Sequence, residues 1–177
     1  MQQRTVLRLT GVAALAGAAI DVLGPAIYPR LAEPWPHLIY VTIDLLLLFG
    51  MLGVWSATRR TTSVLGLVGF VVAVFGVMLV RTSAAKIFGE ASYMIAASIW
   101  SIGMVVWGVD LFRAKDMFRK SAGLWILALL LGLAGAVVKI EALASMLPKL
   151  AFAGGFVAAG FDLFKAARGE HAHEPQG

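Results

Sequence analysis

The sequence predicts an all-α fold, a polytopic membrane bundle of six transmembrane helices arranged as three helical-hairpin pseudo-repeats. Composition is the first observation behind this. The 177 residues are 60% hydrophobic and 14% charged, with a mean hydropathy of +0.86, whereas soluble domains run near about 45–50% apolar and about 25% charged. The second is spacing: charges fall mostly between apolar runs of about 20 residues, the length a helix needs to cross the hydrocarbon layer. The third is a phrase used twice. Gly108-Val-Asp-Leu-Phe-Arg-Ala114 returns as Gly160-Phe-Asp-Leu-Phe-Lys-Ala166, with five of seven positions identical. Each copy closes an apolar run with a carboxylate three residues before a base, a pairing suited to the border between lipid and water.

The first run, 9–28, follows a polar lead with Arg4 and Arg8 and is interrupted only by Asp21. A basic start, an apolar middle and small residues over 16–19 also describe a secretory signal peptide. Continuation past Ala19 to spanning length, and the even number of spans it completes, favour a retained helix. Pro29, Pro34 and Pro36, with Arg30, Glu33 and Trp35, predict an interfacial loop. The second span, 37–57, ends at Arg59-Arg60; the third, 61–80, is uncharged for 20 residues until Arg81. A connector over 82–90 carries Lys86 and Glu90, and the fourth span is 91–112. After a basic loop over 113–120, the fifth span, 121–138, is bounded by Lys139 and Glu141. The sixth, 148–164, has the shortest uncharged length, because Lys149 and Asp162 enclose only 12 residues. A polar tail, 165–177, follows. No soluble stretch reaches the roughly 50 residues of a separate domain, so 1–177 reads as one integral membrane domain.

A net charge of +5 would suggest nucleic acid in a soluble chain, but here the bases cluster at span ends and read as topology; no nucleic-acid partner is expected. One side of the bundle holds Arg4, Arg8, Arg59, Arg60, Arg113, Lys115, Arg119, Lys120, Lys165 and Arg168. The other holds Arg30, Arg81, Lys86, Lys139 and Lys149. This asymmetry predicts a bacterial inner (plasma) membrane protein with both termini cytoplasmic.

The repeat extends beyond the phrase. Gly50-Met51 and Gly103-Met104 are each followed closely by a tryptophan, Trp55 and Trp107, and Gly66 and Gly123 take matching places near the inner ends of the third and fifth spans. Internal repeats occur in transporters, where sites form between the repeated units. Small residues at spacing four (Ala13 and Gly17, Ala128 and Gly132, Gly132 and Ala136, Gly155 and Ala159) predict close helix packing within the bundle, with a homo-oligomer as the competing use.

Two acids lie inside spans. Asp21 and Asp44 each sit roughly 10 Å below the outer boundary at about 1.5 Å per residue. Ala14, Gly17, Ala18 and Asp21 share one helix face, and His37, Tyr40 and Asp44 form a polar stripe opening outward. A carboxylate at that depth costs a few kcal/mol unless paired, hydrated or protonated, and two near each other favour a shared proton. Arg81 and Lys139 enter the same outer layer. The expected ligand-binding set is therefore Asp21, Tyr40, Asp44, Arg81 and Lys139, with structural ion pairs between helices as the competing reading. Asp110 and Asp162 are expected to anchor the inner interface by pairing with Arg113 and Lys165.

The chain has no cysteine, which excludes disulfides and thiolate chemistry. No histidine stands mid-span, which excludes bis-His haem and histidine-based nucleophilic triads. No phosphate-cradling loop, dinucleotide fingerprint or zinc motif is present, and His171 with His173 supplies too few ligands for a metal. No catalytic residue, metal or cofactor is assigned. The sequence favours a small transporter or binding protein, proton-linked, for a small solute or lipid headgroup, with membrane lipids as partners. The alternative is a non-catalytic accessory or stress-related membrane protein acting by helix association; an intramembrane enzyme using Asp21 and Asp44 is the third class.

Overall fold

The computed structural model describes residues 2–140 and 145–169, and all regular structure among them is helical. The six helices are α1 (Gln2–Ile27), α2 (Trp35–Thr58), α3 (Val64–Thr82), α4 (Ser92–Arg113), α5 (Arg119–Val138) and α6 (Leu147–Arg168). Each is long and apolar enough to cross a membrane. Glu141, His171 and His173 lie outside the described residues.

Two helices are longer than the apolar pattern alone suggested. The first begins at residue 2 rather than 9, since the lead carrying Arg4 and Arg8 contains no helix breaker and long basic side chains can reach toward headgroups from a helix end. The sixth runs on to Arg168, with Lys165 and Arg168 in its last turn, where cations oppose the helix dipole. The proline loop ends early as well. Pro36 occupies the first turn of α2, where a missing N–H removes no helical bond.

The interior is apolar, as in a soluble bundle, but so is much of the surface. Val137 is 81% exposed, Val64 79% and Met94 72%, whereas Asp44, Thr58, Ser92, Asp110, Ser121 and Asp162 are buried. An outer surface dominated by Leu, Val, Phe and Met is stable against hydrocarbon rather than water.

The chain forms two compact units, one of Met1–Arg60 with Phe156–Gly177 and one of Thr61–Gly155. In the first, α1 and α2 pack antiparallel through small residues. A Cβ added at Gly50 would lie 2.9 Å from the Ala14 methyl, one at Gly17 would lie 2.9 Å from the Leu47 side chain, and Gly53 faces Thr10. The end of α6 joins them, with Gly160 against Gly11 and Leu15, and Leu163 fully buried.

In the second unit α3 and α4 touch along their backbones. Gly69 abuts the Trp107 main chain, Gly76 that of Trp100 and Gly103 that of Ala73, each too close for any side chain. This is the close approach that small residues permit between helices in lipid. On α5, Ala122 packs over Gly108 of α4. Trp107 and Trp125 are buried and stacked at 5.9 Å between ring centroids, and Phe70 meets Trp107 edge-on at 5.1 Å.

The small-residue pairs divide. Ala13, Ala128, Gly155 and Ala159 are buried, as packing within the chain requires. Ala136 is exposed, so the pair it makes with Gly132 does not fill an interior contact.

Candidate functional site

The contacts of Thr10 with Gly53, Ala14 with Gly50 and Gly17 with Leu47 set the antiparallel register of α1 and α2. Continued by one turn, that register brings Asp21 level with Ile43 and Asp44. Asp44 is buried at 7% exposure between Ile43 and Leu47, which are also buried, and Asp21 is half-buried.

Further along, just past the end of α1, lies a tyrosine that the sequence pattern did not single out. Tyr28 follows the end of α1 and folds its phenol back over Gly24, so closely that any side chain at Gly24 would overlap the ring. Its ring meets that of Tyr40 from α2, with centroids 4.5 Å apart and planes tilted by 53°. The Tyr28 hydroxyl is buried and lies within electrostatic reach of Tyr40, Asp21 and Asp44. Three of the five expected residues, Asp21, Tyr40 and Asp44, thus gather around Tyr28 in the first unit. The signal for Tyr28 was available, since Asp21, Gly24 and Tyr28 stand at i, i+3 and i+7 on one helical face. It was hidden because Tyr28 closes the first apolar run, just before Pro29, where an aromatic reads as an interfacial residue.

Arg81 stands in the last turn of α3. Lys139 caps α5 in a left-handed conformation with φ 58°. Both belong to the second unit; the cluster around Tyr28 is a property of the first. His37, expected to extend the stripe of Tyr40 and Asp44, instead lies 3.2 Å from Glu33, with both side chains exposed.

A second polar cluster ties the start of α3 to the end of α4. The Asp110 carboxylate accepts from the Ser63 backbone N–H at 3.1 Å and from the Ser63 hydroxyl, while Ser63 caps α3 by accepting from the Gly66 N–H at 3.4 Å. A buried carboxylate at a helix N-terminus satisfies orphan N–H groups and opposes the positive dipole end. Asp116 makes a similar link nearby, accepting from the Thr61 hydroxyl at 3.1 Å. The expected anchoring by Asp110 is thus directed across to the neighbouring helix through Ser63. For Asp162 the expected partner is found, with Lys165 at 3.0 Å.

The two clusters differ in chemical use. Asp110 accepts from both the N–H and the hydroxyl of Ser63 and closes a loop. The Tyr28 cluster combines two acids with two phenols, groups whose chemistry is compatible with a cation or a shared proton. Among the described residues no group of three or more His, Cys, Asp or Glu side chains could hold a metal. Comparison with family models, with curated proteins and with solved structures gave no match.

Proposed function

We propose that the chain is a multi-pass protein of the bacterial inner membrane, both termini cytoplasmic, that binds or transports a small cationic or proton-coupled solute. The site is the cluster of Asp21, Tyr28, Tyr40 and Asp44, opening toward the outer face. The observation that carries this reading is the meeting of the Tyr28 and Tyr40 rings, 4.5 Å apart, in the same unit as buried Asp44 and half-buried Asp21, a polar set that is costly in hydrocarbon unless paired, hydrated or protonated and that a cation or proton would suit. Three hairpin repeats in a single membrane domain complete the proposal. The two copies of the Gly-x-Asp-Leu-Phe phrase support it: Asp110 and Leu111 are buried like Asp162 and Leu163.

The test is uptake and proton movement in proteoliposomes, with tetramethylammonium as the probe cation and an internal pH dye. Asp21→Asn and Asp44→Asn are expected to lose both signals while the protein still inserts and elutes as a folded species. Unchanged signals in both variants would remove the site. Orientation is tested separately, because the natural chain is free of cysteine. An impermeant maleimide should label Ala85→Cys in intact cells and Ala114→Cys only after permeabilisation; the reverse pattern overturns the topology.

A second reading is association through the outer half of α5, where Leu133, Ala134, Ala136 and Val137 are exposed together. An Ala136→Leu variant that changes oligomeric state and leaves probe uptake intact would favour the accessory role.

A further inference from the structure

We infer that the base-rich end of the first unit holds an anionic phospholipid in a cleft along α6. Phe161, Phe164, Lys165 and Arg168 line an open cleft of about 340 Å³. Their spacing of three, four and seven residues places them on one helical face. At about 1.5 Å per residue, Arg168 stands roughly 10 Å beyond Phe161 along the axis. Two rings come first and two cations follow, the order in which a lipid presents acyl chain and then phosphate. The opposite face of the same turns, with Leu163 and Ala167, is buried in the unit. Phe161, by contrast, is 55% exposed and has no role in the unit's interior.

Lys165 is presented rather than merely present. Asp162 is nearly buried and holds the ammonium at 3.0 Å, while the Lys165 side chain remains 48% exposed. An ammonium has three donors, so the tie to Asp162 fixes its position and leaves donors for a phosphate. Further positive charge stands at this end. Gly11 of α1 lies against Gly160, Leu163 and Phe164 of α6, and Gly53 of α2 lies against Leu163, so Arg8 and the Arg59-Arg60 pair follow each contact by a turn or two toward the same end. Charge selects an anion. The two rings lining the cleft, one of them exposed, select one carrying acyl chains, which distinguishes a phospholipid from free phosphate.

This inference rests on the membrane reading, which the maleimide labelling tests on its own, and not on the Tyr28 cluster. Full-length protein is extracted from vesicles of phosphatidylcholine with one part in five phosphatidylglycerol, and the retained lipid is measured by native mass spectrometry. Phosphatidylglycerol should be retained in preference to phosphatidylcholine. Lys165→Gln and Arg168→Gln should each lower that retention about fivefold, whereas Lys165→Arg and Arg30→Gln, beyond the opposite end of α1, should not. Phe161→Ala, at an exposed position that leaves the fold intact, should also lower retention. Excess inorganic phosphate should fail to displace the lipid. Equal retention of the two lipids, indifference to both Lys165→Gln and Arg168→Gln, indifference to Phe161→Ala, or displacement by phosphate would each overturn the assignment.

Discussion

Gly66 and Gly123 occupy matching places in the sequence repeat, yet the same substitution at each should act with opposite sign. A methyl group at Gly66 would overlap the Asp110 carboxylate and lie 2.6 Å from the Thr62 side chain, whereas one at Gly123 would meet nothing within 4 Å. In Gly66→Ala the carboxylate must withdraw from the start of α3 and lose its bonds from the Ser63 N–H and hydroxyl. Hydrogen bonds to a charged group are worth about 1.5–3 kcal/mol; taken together, and as non-additive neighbours, their loss costs about 3 kcal/mol. Replacing glycine by alanine in a helix returns about 1 kcal/mol. The net expectation is a loss of about 2 kcal/mol at Gly66 and a gain of about 1 kcal/mol at Gly123. Equilibrium unfolding in mixed micelles, followed by circular dichroism, reads both values. A double-mutant cycle sharpens the result: Asp110→Ala should cost far less in the Gly66→Ala background than in the natural chain. Stabilisation by both substitutions, or an unchanged cost for Asp110→Ala, would refute the placement of Asp110.

Three further outcomes follow from the packing. Gly24→Ala should leave stability within about 1 kcal/mol, because the helix gain offsets the lost ring pair, but should displace Tyr28 and reduce tetramethylammonium binding; unaltered binding would remove Tyr28 from the site. Lys115 stands at φ 52° with the Asp116 N–H returning to the Leu111 carbonyl at 3.3 Å, a helix-ending geometry that favours glycine. Lys115→Gly should therefore stabilise by up to about 1 kcal/mol in the same unfolding assay. Trp107→Ala, which empties the ring stack between α3, α4 and α5, should cost about 3–5 kcal/mol in that assay, and a loss under 1 kcal/mol would contradict full burial of that ring.

The six helices were legible because span length and loop charge are properties of local sequence. So were Asp21 and Asp44, since a carboxylate inside an apolar run stands out in any reading. The Asp162–Lys165 pair is local too, being one turn of helix. What could not be read were choices made between helices. Asp110 carries the same local signature as Asp162, but its carboxylate reaches Ser63, 47 residues away, and only the missing side chain at Gly66 makes that reach feasible. Gly66 and Gly123, matched by position in the sequence, differ in their surroundings for the same reason: one glycine makes room for a partner, and the other faces open space. Tyr28 was missed because what sets it apart is its ring contact with Tyr40 of α2, a choice made between helices that the end of an apolar run does not announce.

Asp44, Asp110 and Asp162 are buried to nearly the same extent, at 7%, 7% and 6% exposure, and neutralising each in turn is the experiment that separates a structural acid from a functional one. Asp110 and Asp162 stand at base-rich helix ends and are held by Ser63 and Lys165, so neutralising either should destabilise the fold. Asp44 stands about ten residues into α2, flanked by buried Ile43 and Leu47 and level with the second carboxylate of Asp21. There the charge itself is costly, by a few kcal/mol in hydrocarbon, and mutual repulsion adds to it. An amide keeps the shape and hydrogen-bonding capacity of the side chain without that cost. Asp44→Asn should therefore raise stability by about 1–2 kcal/mol while abolishing cation and proton movement. A structural tie predicts the contrary pattern, lower stability with transport retained, and that result would assign Asp44 to the scaffold.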